Sequence, residues 1–330
     1  MIFLIVLLFA FCFLLLFIKL APHFGLIDSP DNRKKHSGNI PLIGGPIIFL
    51  TLITTDLLFE IFPKNISLII YLSTPLFFIT VLDDIKPRHW SIRLVFQLFL
   101  SILIINFTDI QVLSIGQLGS ISDIKLGVLA PIFTILCIVG LTNAINMFDG
   151  IDGLAGTYFL TGFLSFILLS DGSNIYTETV INFILLIIFF LGLNLSKSNF
   201  KIFLGDSGSM TIGFIFGWLL IIHSQSNVLN FRPELVVWIA SLPIIDSLRV
   251  MFERYKNKMS IFHSDRSHIH HLLISNGFSE NKVLIFLASL NLMFLVAGLV
   301  IDKFKIYHYS YFIFLIFVFL YFRIIRFLRQ

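Results

Sequence analysis

The sequence contains little charge and almost no cysteine. Charged residues make up 13% of the 330 residues, about half the share found in soluble domains. A chain with so little polar surface cannot form a soluble fold, and it is not polar enough to be intrinsically disordered. The two cysteines, Cys12 and Cys137, each lie in an apolar run, which excludes a disulfide scaffold.

Apolar and aromatic residues take the place of charge. Hydrophobic residues account for 57% of the chain, Phe alone occurs 39 times, and the mean hydropathy is +0.95. This composition predicts an integral membrane protein. The net charge of +4 is then interpreted as a signal of membrane orientation, and we expect no nucleic-acid partner.

Eleven apolar runs approach the ~20 residues that a helix needs to cross a bilayer. They lie near residues 1–20, 42–62, 66–82, 94–108, 126–145, 154–170, 179–195, 208–223, 234–250, 283–301 and 309–325. The first run lacks a preceding basic segment and a small-residue cleavage site, so we expect it to be retained as a span. The sequence predicts an all-α integral membrane protein with about 11 transmembrane helices (10–11), forming a single polytopic domain over residues 1–330.

Lysine and arginine are distributed unevenly between the loops. Of the 23 basic residues, 18 fall in alternate loops, at the inner end of the first run or in the C-terminal tail, and 5 fall in the remaining loops. The positive-inside rule places the N-terminus outside and the C-terminus in the cytoplasm, as an odd number of spans requires. The predicted cytoplasmic loops cover about 21–45, 83–93, 143–156, 196–209 and 250–282.

The same loops carry the residues capable of chemistry. Asp83 and Asp84 end the third apolar run. Two adjacent carboxylates repel each other unless a cation lies nearby, and either a bound Mg²⁺ or the neighbouring Lys86 and Arg88 would supply that cation. A solvated helix cap is the alternative interpretation.

A second group of oxygen-bearing side chains follows the fifth run. Asn143, Asn146 and Asp149 recur every third residue, which places them in one row on a helix. The steps Asp149-Gly150 and Asp152-Gly153 then break that helix. Hard oxygen ligands beside a glycine turn suit Mg²⁺ and phosphates, and a simple helix C-cap is the alternative.

Glycine and serine surround Asp206 at the start of the eighth run. The segment Gly205-Asp206-Ser207-Gly208 predicts a helix N-terminus whose N–H groups are available to an anion. Asp206 is then either the N-cap or a metal ligand.

The first predicted cytoplasmic loop carries Lys34, Lys35 and His36 ahead of Gly44-Gly45. The basic cluster either binds phosphate or anchors the loop beside anionic lipid. The glycine pair favours a ligand, because glycine lets the backbone approach one closely.

Four of the nine histidines lie close together, at His263, His268, His270 and His271. Zinc sites add Cys ligands, or a Glu between paired helical histidines, and neither occurs here. Next to Arg266, the imidazoles fit phosphate contacts or proton handling better than zinc.

Two further pairs lie inside apolar runs. Asp56 and Glu60 are spaced i, i+4, and acids at membrane depth are candidate functional residues, although Glu60 lies near the end of its run. Asp246 and Arg249 have the i, i+3 spacing of a helical ion pair.

In this order, the motifs resemble the polyprenyl-phosphate N-acetylhexosamine-1-phosphate transferases, the WecA/MraY superfamily of glycosyltransferase family 4. The matching blocks are 33–45, 83–84, 143–156, 203–209, 243–249 and 263–272. The ending His268-Ile-His270-His271-Leu272 is similar to the WecA-like branch. That branch often has a third acid where this chain has Pro87, and residues 83–94 look closer to branches that start O-antigen-type glycans with unusual amino sugars.

The resemblance implies transfer of an N-acetylhexosamine 1-phosphate from a UDP-sugar to undecaprenyl phosphate. The products would be undecaprenyl-pyrophosphoryl-sugar and UMP, and the reaction would initiate a cell-surface glycan of the O-antigen, common-antigen or teichoic type. The resemblance also implies Mg²⁺ or Mn²⁺ as cofactor, a multi-pass protein of the bacterial inner membrane with its active site at the cytoplasmic face, and a homodimer. The sugar stays open.

The resemblance further assigns three sets of residues. The catalytic set is Asp83, Asp84, Asp149, Asp152, His270 and His271. The substrate-binding set is Lys34, Lys35, His36, Asn143, Asn146, Phe203, Arg266 and His268, with Phe203 as a stacking face for uracil. The metal set is Asp206, the first choice, with Asp83 and Asp84.

Two other classes of protein compete with this interpretation. A secondary transporter would need ionisable residues near the bilayer midplane and internal symmetry, whereas the acids here cluster at one predicted face. A metal-dependent membrane phosphohydrolase would use similar residues with water as acceptor. The Asp-Gly-Ala-Arg pattern of the CDP-alcohol phosphotransferases does not occur in this sequence.

Overall fold

A computed structural model describes residues 2–29, 38–170, 174–198, 200–226, 229, 231–260 and 267–328. Over these residues the chain is predominantly helical. The helices are α1 (Ile2–Phe24), α2 (Gly44–Phe59), α3 (Lys64–Leu72), α4 (Thr74–Ile85), α5 (Trp90–Thr108), α6 (Ala130–Phe148), α7 (Leu154–Leu169), α8 (Asn174–Asn194), α9 (Gly205–Gln225), α10 (Val236–Lys256), α11 (Ile269–Ser275), α12 (Glu280–Lys303) and α13 (Ser310–Leu328). Two short strands, β1 (Ile27–Asp28) and β2 (Ile40–Pro41), pair antiparallel with Asp28 opposite Ile40.

All eleven predicted apolar runs fall on helices. Among the described residues, nine helical segments are long and apolar enough to cross a membrane. The helices α2 and α7 are shorter, with 16 residues each, or about 24 Å at 1.5 Å per residue. The all-α, multi-pass membrane architecture is therefore confirmed, while the count of eleven spans stays a prediction.

The third apolar run forms two helices rather than one. Helices α3 and α4 meet at Ser73, two residues before Pro75. Proline lacks a backbone N–H and its ring clashes with the carbonyl four residues earlier, which interrupts a continuous helix. The Ser73 hydroxyl donates to the Ile69 carbonyl at 2.7 Å, and the same carbonyl also accepts from the Ser73 N–H at 3.0 Å.

Contacts divide the chain into two compact units. The first contains Met1–Ile110 and Gly172–Leu219, and the second contains Gln111–Asp171 and Leu220–Gln330. In the first unit α1 packs on α2 and α8, and α5 packs on α3 and α4. In the second unit α10 packs on α6, α12 and α13, while α7 packs on α12.

The buried acid Asp56 ties two elements of the first unit together. Its carboxylate accepts hydrogen bonds from the Tyr71 hydroxyl at 2.6 Å and from the Phe62 N–H at 3.0 Å. These bonds compensate for the burial of the acid, so a structural role accounts for Asp56. Glu60 is exposed at the end of α2, in agreement with its predicted position.

The core of the second unit is built around Trp238 of α10. Its indole N–H donates to the Ser310 hydroxyl at 2.8 Å. The rings of Phe314 and Phe317 meet it edge-on, with centroids 5.3 Å and 5.2 Å away. Edge-to-face contacts of this kind add to the apolar burial and fix α13 against α10.

Candidate active site

Two helices of the first unit begin side by side, α2 at Gly44 and α9 at Gly205. The Gly44 N–H donates to the Phe203 carbonyl at 2.9 Å. A Cβ on Gly45 would lie 2.3 Å from the Gly208 nitrogen, so only glycine permits this approach. The glycine pair thus allows α2 and α9 to pack closely. The close approach that was expected toward a ligand is made to the backbone of α9.

The carboxylate of Asp84 caps the N-terminus of α9. Its Oδ1 accepts from the Asp206 N–H at 2.8 Å and its Oδ2 accepts from the Ser207 N–H at 3.0 Å. Gly205 has φ +73°, and a Cβ there would lie 2.6 Å from Asp84 Oδ2. The anion predicted at this helix N-terminus is therefore a carboxylate of the chain itself, which occupies both N–H groups.

Asp83 and Asp206 are brought together by one guanidinium group. Asp83 Oδ2 lies 2.6 Å from Arg93 Nη1, and the same nitrogen contacts Asp206 Oδ2. Asp83 Oδ1 accepts from the Arg88 N–H at 2.5 Å. The sequence suggested the side chains of Lys86 and Arg88 as the neutralising cations, but Arg93, in the first turn of α5, has that position.

The carboxylates of Asp83 and Asp206 could supply part of the ligand shell of a magnesium ion. Mg²⁺ binds oxygen at about 2.0–2.1 Å and commonly uses one or two carboxylates, with water and substrate phosphates completing its shell. Asp83 and Asp206 each present one carboxylate oxygen to the same Arg93 nitrogen, so both acids lie beside one cationic position. Within the described ranges no three His, Cys, Asp or Glu side chains could hold a metal ion by themselves, so phosphate oxygens would have to contribute.

The second unit contains the row of amides and carboxylates. Asn143 and Asn146 lie in the last turns of α6, which ends at Phe148, and Asp149 follows as its C-cap. Gly153 then has φ +78° at the start of α7, which only glycine adopts readily. Asn143 and Asn146 lie on the helix as predicted and the helix ends at the Asp-Gly steps, but Asp149 is the C-cap, with φ −75° and ψ 69°, and does not continue the helical row. Asn143, Asn146, Asp149 and Asp152 are all half-buried.

His270 packs against this turn. A Cβ on Gly150 would lie only 2.1 Å from His270 Nε2. Burial, together with the neighbouring His271 and His268, lowers the pKa of His270 to about 3, so its ring is neutral at neutral pH. Among the described residues no hydrogen-bond partner reaches its Nδ1. His270 therefore supports the shape of the turn and contributes no positive charge.

The predicted ion pair of α10 anchors the histidine segment. Arg249 Nη2 lies 2.7 Å from Asp246 Oδ1 and donates to the Ser267 carbonyl at 2.6 Å. His268 Nδ1 lies 2.8 Å from Asp246 Oδ2. The hydroxyl of Tyr321, on α13, donates to Asp246 Oδ1 at 2.7 Å. The i, i+3 pairing is confirmed, whereas Tyr321 has no sequence signal because it lies in a run of aromatic residues.

The remaining candidates divide into described and undescribed positions. Phe203 is half-buried, and the Lys201 ammonium lies 5.4 Å from its ring centroid. Uracil stacking on this ring stays a prediction. Lys34, Lys35, His36 and Arg266 lie outside the described residues.

Comparison with known proteins gives the family. The profile of glycosyl transferase family 4 matches residues 66–224. The undecaprenyl-phosphate alpha-N-acetylglucosaminyl 1-phosphate transferase of Escherichia coli (strain K12) is 31% identical over 310 residues, covering 93% of this chain and 83% of that protein. The protein of the same name from Salmonella typhi is 32% identical over 288 residues, covering 86% and 78%.

A relative from Bacillus subtilis (strain 168) is 28% identical over 305 residues, which cover 92% of this chain and 84% of the relative. These matches cover 86–93% of this chain and 78–84% of the relatives. The residues that the family profile matches include Asp83 and Asp84, at the end of α4, and Asp206, at the start of α9. On this evidence the chain belongs to glycosyl transferase family 4.

Proposed function

We propose that this protein transfers an N-acetylhexosamine 1-phosphate from a UDP-sugar to undecaprenyl phosphate. The products are undecaprenyl-pyrophosphoryl-sugar and UMP, and the reaction initiates a cell-surface glycan. The names of the relatives support the acceptor and make N-acetylglucosamine the first sugar to test. The observation that carries the proposal is the convergence of Asp83 and Asp206 on Arg93 beside the start of α9.

We propose a divalent cation, Mg²⁺ or Mn²⁺, at Asp206 and Asp83. When bound, such a cation supplies positive charge that offsets the donor diphosphate. Asp84 then has a supporting function, because both of its oxygens hold the first turn of α9 and so fix the position of Asp206. Without the cation, Arg93 keeps the two carboxylates close together by neutralising their mutual repulsion, and the cation would have to displace it from them.

The acceptor needs orientation more than activation. A lipid phosphate is already ionised at pH 7, so positioning it for in-line attack is the main task of the protein. Asp83 is the orienting or proton-accepting group for that phosphate. A carboxylate at the end of a membrane-spanning helix lies where a lipid head group arrives.

The remaining candidate residues supply nucleotide and phosphate contacts in this proposal. Asn143, Asn146, Asp149 and Asp152 contact the nucleotide, and Phe203 stacks on uracil. His268 and Arg266 contact the donor phosphates, together with Lys34, Lys35 and His36. His271 lies beside the neutral His270, which holds the Asp149-Gly150 turn.

We propose that the protein lies in the bacterial inner membrane as one polytopic domain with eleven spans. Its N-terminus lies outside and its active site lies at the cytoplasmic face. Two copies form a homodimer. Single cysteines near Lys64 and Arg232 should react with an impermeant thiol reagent in whole cells, and one near Lys256 should not. Labelling near Lys256 from outside would contradict this orientation. Cys12 and Cys137 are replaced first, and cross-linking in membranes tests the homodimer.

The decisive experiment uses purified protein, undecaprenyl phosphate, Mg²⁺ and a panel of UDP-N-acetylhexosamines. Release of UMP together with a lipid-linked sugar phosphate supports the proposal and identifies the sugar. Release of free sugar phosphate without lipid product would indicate a hydrolase, and solute movement in vesicles without chemistry would indicate a transporter.

Two matched variants strengthen this experiment. Asp206→Asn should lose most turnover, because an amide is a poorer ligand than a carboxylate for a hard cation. Asp109→Asn is the control, since Asp109 is exposed at the end of α5 with φ 55°, a conformation that Asn tolerates. Near-normal turnover of Asp206→Asn at low Mg²⁺ would remove Asp206 from the metal site.

A further inference from the structure

Three elements of the second unit meet at one buried carboxylate. Asp246 lies on α10, His268 precedes α11, and Tyr321 lies on α13. Asp246 and Tyr321 are 1% and 2% exposed, and His268 is 6% exposed. A fully buried acid is expensive unless hydrogen bonds and an opposite charge compensate for its burial, which makes the number of its donors informative.

Asp246 has donors on both oxygens. Oδ1 accepts from Arg249 Nη2 and from the Tyr321 hydroxyl, each at 2.7 Å. The Ile269 N–H lies 3.2 Å from Oδ1 and 3.3 Å from Oδ2. An ionised carboxylate only accepts hydrogen bonds, so the remaining contact, 2.8 Å from Oδ2 to His268 Nδ1, is one in which Nδ1–H donates.

This arrangement selects one form of the histidine. With its proton held on Nδ1, a neutral imidazole has its lone pair on Nε2, and the ring orientation is fixed by the carboxylate. The same geometry, a buried carboxylate that fixes ring orientation and tautomer, is how enzymes position an imidazole for proton transfer or for a phosphate contact. Arg249 also holds the carbonyl of Ser267, immediately before His268.

We propose that Tyr321 is a positioning residue of the transfer reaction, which orients His268 through Asp246 so that Nε2 of His268 faces the donor substrate. This inference rests on the proposed function. It gives α13 a part in the chemistry in addition to its membrane anchoring. Tyr321 does not touch substrate, so its contribution depends wholly on His268.

A double-mutant cycle tests this dependence. Tyr321→Phe removes only the hydroxyl, and we expect kcat to fall about 5- to 10-fold with KM for the UDP-sugar changed less than 2-fold. In the His268→Gln background the same change should lower kcat less than 2-fold, because an effect that acts through His268 disappears with it. Equal losses in both backgrounds would overturn the proposal, since they would show a purely structural effect.

The matched control is Tyr311→Phe, on the same helix. Tyr311 donates to the Ile115 carbonyl, so this variant also loses one phenolic hydrogen bond, at the other end of α13. We expect its kcat to stay within 2-fold of the unmodified protein. A loss equal to that of Tyr321→Phe would show a general requirement for α13 packing and would contradict the proposal.

A spectroscopic readout is independent of turnover. ¹⁵N-histidine labelling of the full chain in lipid nanodiscs reports which ring nitrogen carries the proton, and His268→Gln assigns the signal. We expect an Nδ1–H form in the unmodified protein and a mixture in Tyr321→Phe, with no change in Tyr311→Phe. An unchanged His268 signal in Tyr321→Phe would refute the positioning role even if the UDP-sugar panel shows no transfer, so the two proposals fail separately.

Discussion

Asp84→Ala should destabilise the protein because this carboxylate is the cap of a buried helix. The first-turn N–H groups of Asp206 and Ser207 donate to it at 2.8 Å and 3.0 Å. Ser207 is fully buried, and α9 is the most buried of the nine candidate spans described. Water cannot readily replace a lost acceptor there, so the variant leaves donors unsatisfied.

The size of the effect follows from these two bonds. A hydrogen bond to a charged group contributes about 1.5–3 kcal/mol, and removing an N-cap costs about 0.5–2 kcal/mol. Two such bonds at the lower end of this range give about 3 kcal/mol, which corresponds to a fall in the unfolding midpoint of about 6 °C at roughly 2 °C per kcal/mol. Asp84→Asn keeps one acceptor oxygen, so its unfolding midpoint should lie between those of Asp84→Ala and the unmodified protein.

The assay is thermal unfolding of detergent-solubilised protein, with turnover measured on the same samples. Asp83→Ala is the control, because the N–H that it releases belongs to the exposed Arg88, where water can replace the lost acceptor, and the Arg93 that it releases keeps its contact with Asp206. We expect Asp83→Ala to lose activity with a much smaller change in midpoint. If Asp84→Ala unfolds at the same temperature as the unmodified protein yet is inactive, Asp84 acts in the chemistry and the capping argument is refuted.

Three further predictions follow from the described contacts. The pKa of His270 is lowered from its ordinary value of 6.5 to about 3, so the unfolded state binds an extra proton between these values. The free energy of unfolding should therefore fall by about 1.4 kcal/mol per pH unit as pH drops below 6.5. The unfolding free energy of His270→Gln should lack this pH dependence, and equal pH slopes for the two proteins would contradict the prediction. Arg93 competes with a cation for Asp83 and Asp206, so Arg93→Ala should bind Mn²⁺ about 5-fold more tightly in an EPR titration, equivalent to about 1 kcal/mol for a partly exposed ion pair; weaker binding would show that Arg93 assists the cation. Gly150→Ala should lower the unfolding midpoint and reduce turnover, because its Cβ would lie 2.1 Å from the buried His270 ring; an unperturbed midpoint would show that the ring moves freely.

The membrane architecture was accessible from sequence because the bilayer imposes a simple requirement. Each crossing needs about 20 apolar residues, and this requirement identified the eleven segments that form helices. The interruption of the third run at Ser73 was not predicted, because Pro75 lies inside an apolar run whose overall length matches a span. Backbone geometry, which hydropathy does not report, determines that break.

The candidate site was only partly accessible, for a different physical reason. The acids at 83–84, 149–152 and 206 stand out locally, because they interrupt apolar runs or precede glycine. Their partners come from distant parts of the chain, as with Asp84 and the N–H of Asp206, 122 residues apart, or Asp246 and Tyr321, 75 residues apart. No local pattern contains such pairings, so the sequence could identify charged candidates but could not separate caps from ligands.

The number of chemical steps depends on how the two adjacent carboxylates are held. A two-step route needs an aspartate oxygen that attacks the donor phosphorus and later leaves. Both oxygens of Asp83 already accept hydrogen bonds, from the Arg88 N–H at 2.5 Å and from Arg93 at 2.6 Å. Both oxygens of Asp84 accept from the first turn of α9. An attack on phosphorus would have to give up one of these hydrogen bonds, which disfavours either aspartate as the nucleophile.

We therefore expect the lipid phosphate to attack the donor directly, with Asp83 as the orienting group. The acceptor is an anionic nucleophile without any covalent relay, and cationic groups such as Arg93 offset the repulsion between the two substrates. Enzyme stripped of lipid phosphate should then fail to exchange labelled UMP into the UDP-sugar. Asp83→Asn should bind the nucleotide normally but turn over slowly. Rapid UMP exchange without lipid phosphate, together with a trapped phosphoryl adduct on Asp83 or Asp84, would establish the two-step route and contradict this reasoning.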